Sequence, residues 1–314
     1  STLSSSSAAS DVYKRQNTNR AIIELTIGGL MLSLSALAVA FAHIGAGGAG
    51  FYRMLFASIL FFLLLKVRRI PVLLKSAKAQ LYTALAGVFL AIDLVLWHQS
   101  IYIVGPGIGS ILTNCQVFFM TLLGLYLLKE KPSIYFLISI TLAFIGLYLL
   151  LLPEMTSAVG IKGVVYGVLS GLAYAICVYF LKVNTQLPDG GGDKIAQMLN
   201  LSLWAALVLL VYALAMGESL AIVDGQTLVM LIIYGVMVQF VGWLLVNRSI
   251  GAISLGLAGL ILLLEPVITY FVDVAFLGKA SSALQIAGAL LTIFAVYIGS
   301  IKPPEKVTPV TEAA

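Results

Sequence analysis

The chain has 314 residues, of which 61% are hydrophobic and only 10% are charged, whereas soluble domains carry about 25% charged residues. This composition excludes a soluble globular protein and predicts a protein that crosses the membrane several times. The net charge of +5 lies in short connections between apolar stretches, so it predicts membrane topology, and no nucleic-acid partner is expected.

The first twenty residues differ from the rest of the chain. They are rich in serine and lack the apolar region of a signal peptide. The run STLSSSSAASDVYKRQ, residues 1–16, also resembles translated cloning sequence that would be foreign to the natural protein. We expect residues 1–20 to form a disordered cytoplasmic tail.

Ten apolar stretches follow, each close to the roughly 20 residues that a helix needs to cross a bilayer. We predict an all-α polytopic membrane protein with ten transmembrane helices in two five-helix repeats, residues 21–152 and 161–301, and a cytoplasmic tail at 302–314. The predicted spans are 21–42, 49–65, 79–101, 106–128, 133–152, 161–181, 196–216, 226–247, 252–277 and 282–301.

The distribution of Lys and Arg predicts the orientation of these spans. With the amino terminus inside, all but three of the 18 Lys and Arg residues fall on the cytoplasmic side, the exceptions being Arg53, Lys162 and Lys279. Because cytoplasmic loops carry an excess of basic residues, we expect both termini in the cytoplasm and the protein in a bacterial-type inner (plasma) membrane. Nine spans would place the tails on opposite sides and lose this bias.

The two halves of the chain align without gaps over their last helices. Placing Ser100 over Ser249 also brings Ser133 onto Ser282. Five helices in a half is an odd number, so the second repeat must be inverted relative to the first. Inverted repeats place substrate sites near the membrane midplane, often on interrupted helices.

The same alignment places Gln116 opposite Glu265, and Val117 opposite Pro266. A carboxyl group in the middle of a span costs on the order of 2.5 to 3.5 kcal/mol unless it faces a cavity or a partner. Proline removes a backbone donor and loosens the turn before it. We therefore expect Glu265 and Gln116 to face a central cavity beside a kink.

Helical spacing adds further polar and aromatic candidates to this cavity. Asp93 is a second acid within a span, and packing gives no reason for a carboxylate there. The predicted substrate-binding residues are Glu265, Asp93, Gln116, Asn114, Trp97, Gln239, Trp243 and Tyr174. The predicted gating or coupling residues are Arg53, Pro266 and His98.

Several of these residues also have a purely structural interpretation. Trp97 lies near a span end, where aromatic residues form an interfacial belt. Arg53 and His98 are close enough to span ends to reach the interface. The GxxxG pair Gly167 and Gly171 indicates close helix packing only.

Three sequence segments, taken in chain order, resemble those of a known family. They are GFYRMLFA opening the second helix, LLKEKPS closing the fourth, and LLLEPVITYFVDVAFLGKAS in the ninth. Together with the ten helices, they resemble the EamA-like branch of the drug/metabolite transporter superfamily over about residues 21 to 301. The resemblance implies a basket-like bundle that works by alternating access, with a cavity lined chiefly by helices one, three, four, six, eight and nine.

The resemblance also assigns individual residues. Arg53 matches the arginine that opens helix two, Glu130 the acid that ends helix four, and Pro266 the proline of helix nine. Two positions depart from the family pattern. Val117 replaces a first-half proline, which argues against a symmetric kink, and Lys279 replaces an acid, which argues against a symmetric gate of acidic turns.

Known members of this family mostly export amino acids, related metabolites or drugs. Two acids within the spans favour a substrate with an amino or other cationic group, and a desolvated carboxyl is also a candidate proton carrier. We therefore predict a secondary-active transporter that exports an amino acid or related compound, with the proton as the candidate coupling ion.

Other functions stay open at the level of sequence. One alternative is import or exchange of a larger metabolite such as S-adenosylmethionine or a nucleoside. Another is a passive channel, although the chain has no obvious selectivity filter. An intramembrane enzyme is the third, but the sequence contains neither HExxH nor GxSxG and only two histidines. We expect no metal and no cofactor.

Overall fold

The computed structural model of the protein describes residues 2–104, 112–152, 161–276 and 282–301. These residues form α-helices and one π-helix, which confirms the all-α prediction. The helices are α1 Thr2–Leu32, α2 Leu34–Phe41, α3 Ala46–Arg68, α4 Ala77–Val104, α5 Gln116–Leu127, α6 Ile134–Leu151, α7 Ile161–Asn184, α8 Lys194–Ala215, α9 Gly225–Ile233, the π-helix Tyr234–Gly242, α10 Trp243–Ile250, α11 Leu255–Leu262, α12 Leu264–Phe276 and α13 Ala283–Ile301.

The described helices account for all ten predicted spans. The first span is divided into α1 and α2, the eighth contains α9, the π-helix and α10, and the ninth is divided into α11 and α12. Five helices are long and apolar enough to cross a membrane: Ala46–Arg68, Ala77–Ile103, Ile161–Asn184, Lys194–Ala215 and Gly225–Ile250. The prediction of a polytopic membrane protein is confirmed.

The amino-terminal segment differs from the expected disordered tail. Helix α1 begins at Thr2 and continues without interruption to Leu32. A physical reason lies in the composition, because neither proline nor glycine occurs before Gly28 and these are the residues that most strongly oppose a helix. A helix that forms over the apolar part can therefore extend through the serine-rich part.

The helices form two compact units, and each unit combines segments from both sequence repeats. Unit 1 consists of Ser1–Ala91 and Phe180–Ile253. Unit 2 consists of Ile92–Tyr179 and Ser254–Ala314. The units therefore differ from the repeats because, in each unit, helices from the first half of the chain pack on helices from the second half.

Antiparallel pairs of counterpart helices are found in each unit. In unit 1, α3 packs on α8, with Gly47 next to Ala213 and Gly50 next to Leu209. In unit 2, α6 packs on α13 in the same antiparallel sense. These pairs join the second span to the seventh and the fifth to the tenth, as expected for inverted repeats, and the predicted fold class is confirmed.

Two helices of unit 2 are interrupted at equivalent points. The helical turn ahead of α5 breaks at Cys115, whose N–H bonds to the Leu112 carbonyl at 3.2 Å. The ninth span breaks at Leu263, whose N–H bonds to the Leu260 carbonyl at 3.2 Å. Both are tight three-residue turns in place of the four-residue α pattern. A symmetric interruption is therefore present even though Val117 is not a proline.

Candidate functional site

Asp93 lies in unit 2 in an antiparallel pair formed by α4 and α7. The Ser170 hydroxyl donates to Asp93 Oδ1 at 2.6 Å, and Ser100 Oγ donates to the Gly163 carbonyl at 2.8 Å. Asp93 is 5% exposed and Ser170 is fully buried. The Ser170 hydroxyl also lies 3.1 Å from Thr113 Oγ1, so three polar side chains from three segments form a continuous chain inside the unit.

The two glycines of the GxxxG motif bring these segments together. A Cβ atom at Gly171 would lie 2.6 Å from the Thr113 carbonyl oxygen and 3.0 Å from the Gln116 nitrogen. A Cβ at Gly167 would collide with Leu112. The motif packs α7 closely on the segment before α5, as predicted, and this close approach is what places Thr113 beside Ser170.

The interruptions in unit 2 each precede a polar side chain. Gln116 is the first residue of α5 and is 3% exposed. Its Oε1 is buried and has no hydrogen-bond partner among the described residues. Glu265 is the second residue of α12 and is half-buried, and Pro266 follows it in the first helical turn, where proline is tolerated. The predicted pair of polar residues thus lies at a pair of helix breaks.

The other candidates of unit 2 are buried within it. Trp97 is 9% exposed and its ring centroid lies 5.1 Å from that of His98, which is fully buried. Tyr174 and Asn114 are each 7% exposed. The interfacial-belt interpretation of Trp97 is wrong, because a belt residue would present its ring at the surface.

Arg53 and Lys182 are buried charged residues of unit 1, and Arg53 is the one among the predicted site residues. Its side chain is 4% exposed, so it does not extend to the interface as a snorkelling arginine would. Its Nε donates to Gln239 Oε1 at 2.9 Å and its Nη1 donates to the Tyr234 hydroxyl at 3.0 Å. The guanidinium carbon also lies 4.7 Å from the centre of the Tyr234 ring, within the range of a cation–π contact.

The π-helix explains how Tyr234 and Gln239 reach the same arginine. Residues five apart differ by about 140° around an α-helix, but in a π-helix the backbone bonds join residues five apart and place them on one face. Gly235 allows α3 to approach, because a Cβ there would lie 2.6 Å from Phe56 Cβ. Gln239 Nε2 in turn donates to Ser202 Oγ at 3.4 Å, which orients the amide oxygen toward Arg53. Tyr234 and Ser202 are not among the residues predicted from the sequence, because an α-helical period does not bring them together with Arg53.

The two ends of unit 1 carry opposite charges. At one end, Glu218 accepts hydrogen bonds from the backbone N–H groups of Gly47 and Gly48, and His43 Nδ1 lies 2.8 Å from Asp224 Oδ2. Hydrogen bonds from the Thr227 backbone N–H and from His43 lower the pKa of Asp224 to about 2. At the other end, the C-terminus of α10, Lys182 donates to the carbonyls of Ile250 and Ile253, and Arg248 pairs with Glu24.

Glu130 has a structural role within unit 2. Its carboxylate accepts the Leu255 backbone N–H at 2.9 and 3.0 Å, at the start of α11, and it is 6% exposed. A carboxylate at a helix N-terminus satisfies a free N–H and interacts favourably with the helix dipole. The acid that ends the fourth span therefore anchors the start of the ninth.

The predicted site residues divide between the two units. Unit 2 contains Glu265, Asp93, Gln116, Asn114, Trp97, Tyr174, Pro266 and His98, and unit 1 contains Arg53, Gln239 and Trp243. A hydrogen bond joins two of the predicted residues, Arg53 and Gln239. Trp243 is 1% exposed. No group of three His, Cys, Asp or Glu residues suited to a metal ion occurs within the described ranges.

Comparison with known proteins identifies the family. The sequence pattern of the EamA-like transporter family matches residues 20–152 and 161–301. One solved structure, described as "Crystal structure of protein", has a TM-score of 0.77 at 12% identity and covers 90% of this chain and 96% of its own. At that identity the likeness concerns the fold. No curated protein matches the chain. The predicted resemblance is confirmed: the chain belongs to the EamA-like transporter family and is a multi-pass membrane transporter of small compounds.

Proposed function

We propose that this protein is a secondary-active transporter that exports an amino acid or a related amino compound by alternating access, with Asp93 and Glu265 binding the amino group. The observation that carries the proposal is the buried Asp93 carboxylate, held by the Ser170 hydroxyl in the middle of an apolar helix. A buried ionisable group within a span is costly and is typical of substrate and ion pathways.

The two interrupted helices of unit 2 support this proposal. Transporters with inverted repeats often bind substrate at discontinuous helices, where backbone groups are freed from the helical pattern. Gln116 follows one interruption with a buried amide oxygen that has no partner among the described residues. Such a group needs an explanation, and an ammonium group of a substrate is a donor that would satisfy it.

Glu265 supports a role for the proton as coupling ion. It is half-buried at the second interruption, and carboxyl groups within spans are typical of proton pathways. A carboxylate that binds either a proton or an amino group, but not both, couples their movements in opposite directions. Differential affinity between two conformations is all that such coupling requires.

The distribution of charge in unit 1 supports the proposed orientation, with both termini in the cytoplasm of a cell with an inner membrane. Glu218 and Asp224 lie at one end of its helices, and Lys182 and Arg248 lie at the other. Because basic residues collect on the cytoplasmic side, the Lys182 end is assigned to the cytoplasm.

The proposal is tested with purified protein in two steps. Thermal unfolding is first measured with the common L-amino acids, polyamines, nucleosides and S-adenosylmethionine, each added singly. Proteoliposomes are then loaded with any stabilising amino acid, and its efflux is followed with and without a proton gradient. We expect a proton gradient to accelerate efflux, and Asp93→Asn to reduce the affinity at least about tenfold, since a charge-assisted hydrogen bond contributes about 1.5–3 kcal/mol.

Asp189→Asn is the matched control. It makes the same chemical change in an exposed loop residue and should leave binding and efflux unchanged. If Glu265→Gln retained full transport and full proton coupling, the coupling role of Glu265 would be wrong. Stabilisation by nucleosides alone, which carry no ammonium group, would contradict the amino-compound proposal and favour the larger substrates.

A further inference from the structure

We infer that the segment joining α3 to α4 binds the head groups of anionic phospholipids at the membrane surface. The inference goes beyond the proposed function, because it concerns one surface of unit 1 and holds whichever compound is transported. We call residues 66–78 the basic loop. Its five Lys and Arg residues are Lys66, Arg68, Arg69, Lys75 and Lys78.

The positive charge of the basic loop has no counter-charge in the neighbouring sequence. No Asp or Glu occurs between Glu24 and Asp93. All five cationic side chains are exposed, and none of them forms an ion pair within the ranges that the structure describes. Closely spaced exposed cations of this kind attract a surface that carries many negative charges.

Exposed apolar side chains place the basic loop at the boundary of the membrane. Leu63 near the end of α3 and Leu81 near the start of α4 are both exposed, and in helices that cross a bilayer such side chains contact the lipid tails. Lys66 and Lys78 lie about one helical turn further out, or about 5 Å. The head-group layer is about 5–7 Å thick, so these cations lie at the depth of the lipid phosphates.

The basic loop also exposes apolar side chains of its own. Val67 is 81% exposed and Leu73 is 67% exposed. Segments that combine basic and apolar side chains are typical of membrane surfaces, where the apolar groups enter the acyl boundary and the cations bind the head groups. A soluble acidic partner would use the charges but would leave Val67 and Leu73 in water. The combination therefore favours a lipid as the partner.

Two contacts hold the basic loop on the rest of unit 1. Asn200 Nδ2 donates to the Val72 carbonyl at 2.9 Å. Leu74 is buried, and a Cβ added at Gly192 would lie 3.1 Å from its Cδ2. Arg69 turns the chain directly after α3 through a left-handed φ of 57°. The cations thus extend from an ordered backbone, so a lipid binds without the cost of ordering the loop.

The counterpart loop of the second repeat uses its charges differently. Residues 216–224, which follow α8, contain Glu218 and Asp224 but neither Lys nor Arg. Both carboxylates accept hydrogen bonds from unit 1 itself, Glu218 from the Gly47 N–H and Asp224 from the Thr227 N–H. The acidic loop therefore stabilises its own helix ends, whereas the basic loop presents its charge to the surroundings.

The test measures lipid binding to the purified full-length protein in a neutral detergent. Phosphatidylglycerol and phosphatidylcholine are titrated separately, and native mass spectrometry counts the lipids that stay bound. We expect wild type to bind phosphatidylglycerol at least about tenfold more tightly than phosphatidylcholine. The double variant Arg68→Gln, Arg69→Gln should weaken binding of phosphatidylglycerol about 25-fold, roughly fivefold for each cation, and should leave phosphatidylcholine unaffected.

The matched control is the double variant Lys129→Gln, Lys131→Gln. It removes the same charge from two exposed residues beyond the end of α5. Each pair contains one left-handed residue, Arg69 at φ 57° and Lys129 at φ 53°, so the effect on the backbone is matched as well. The control should weaken binding of phosphatidylglycerol less than about twofold. An equal loss in both double variants would show that net charge determines binding, and the assignment to the basic loop would be overturned.

Two further variants separate charge from fold and from apolar contact. Arg68→Lys with Arg69→Lys keeps both charges and should retain most of the affinity for phosphatidylglycerol, whereas a purely structural role of the arginines would lose it. Leu73→Ser keeps all five charges and should weaken binding severalfold, because its apolar side chain no longer enters the lipid.

Soluble anions distinguish a lipid site from a general anion site. Glycerol 3-phosphate, which is the head group without its acyl chains, and a short acidic peptide are each added as competitors. Neither should displace phosphatidylglycerol at equal concentration. Displacement by the peptide would favour a protein partner, and displacement by glycerol 3-phosphate would favour a free anion; either result overturns the lipid assignment. Equal affinity of wild type for the two lipids would overturn it as well.

Discussion

Each unit buries a charged side chain in an apolar helix, but the two surroundings are built differently. In unit 2, Asp93 is held by Ser170 across a regular antiparallel pair of α-helices. In unit 1, Arg53 is held by Gln239 and Tyr234 from an irregular π-helix. Asp93 thus depends on the close approach of backbone segments at glycines, whereas Arg53 depends on a local change from α-helix to π-helix.

The difference indicates two ways of making a buried charge tolerable in a membrane protein. A carboxylate accepts hydrogen bonds, and hydroxyl groups on a neighbouring helix supply them at little cost in space. A guanidinium must find several acceptors in one plane, and a regular α-helix does not offer two side chains five residues apart on one face. Distorting the helix around Tyr234 and Gln239 solves this problem for Arg53.

The largest expected loss of stability comes from preventing the close helix approach in each unit. A side chain at Gly171 meets the Thr113 carbonyl, and one at Gly235 meets Phe56 Cβ, so Gly171→Val and Gly235→Val should each destabilise the protein by the upper part of roughly 1–3 kcal/mol. Denaturant or thermal unfolding measures this effect. Gly225→Ala is the control, because no atom lies within 4 Å of the added Cβ. Equal stability of the three variants would contradict the packing argument.

The next largest effect compares the hydrogen bonds of the two charges. Gln239→Leu removes the acceptor of a buried cation and should cost about 2 kcal/mol, since an unsatisfied charged group loses more than a neutral one. Ser170→Ala removes one donor to Asp93 and should cost about 1 kcal/mol, because this carboxylate has further interactions. Unfolding of both variants under one condition shows which substitution lowers the stability more. A larger loss of stability for Ser170→Ala than for Gln239→Leu would contradict the expected order.

A smaller effect compares the carboxylates that cap helices in the two units. Glu130 is 6% exposed and caps α11, whereas Glu218 is half-exposed and caps α3. Glu130→Gln should cost about 1 kcal/mol and Glu218→Gln about half as much, because solvent screens an exposed charge near a helix end. Thermal unfolding at low ionic strength resolves the two. If Glu218→Gln lowered the stability as much as Glu130→Gln or more, burial of the carboxylate would not explain how much each cap contributes.

The smallest effect concerns the exposed end of unit 1. Because the pKa of Asp224 is lowered to about 2 from its ordinary value of 3.8, its ionised form contributes stability that is present above about pH 4 and is lost as the pH falls toward 2. The difference in unfolding temperature between wild type and Asp224→Asn should therefore shrink as the pH falls below about 4. A difference that grows as the pH falls from about 4 toward 2 would have the wrong sign.

Much of this fold follows from the sequence, and so do the unusual residues of the candidate site. Composition and span length predict the ten helices, and the unusual presence of Asp93, Arg53 and Gln116 in apolar spans predicts that each has a specific environment. Ser170 and Thr113 were missed because hydroxyl residues are common in membrane helices for packing alone. The GxxxG motif that ends at Gly171 was the sequence feature that indicated this contact, since such a motif marks where two helix backbones approach each other.

The remaining differences arise where local periodicity changes. The segment from Tyr234 to Gly242 reads as an ordinary apolar helix, and nothing in its composition indicates a π-helix. Tertiary contacts with Arg53 and Phe56 favour the wider form. Proline does predict the break before Glu265, but no residue of this kind indicates the break at Cys115.

The two interruptions of unit 2 therefore differ in their chemical origin. Pro266 has no N–H, so the Leu262 carbonyl lacks its regular helical partner whatever the conformation of the ninth span. At Cys115 no donor is missing, because Cys115 and the residues that follow it in α5 all retain their N–H groups. One half of the chain thus has a covalent reason for its interruption and the other does not, so two similar halves are chemically unequal at corresponding points.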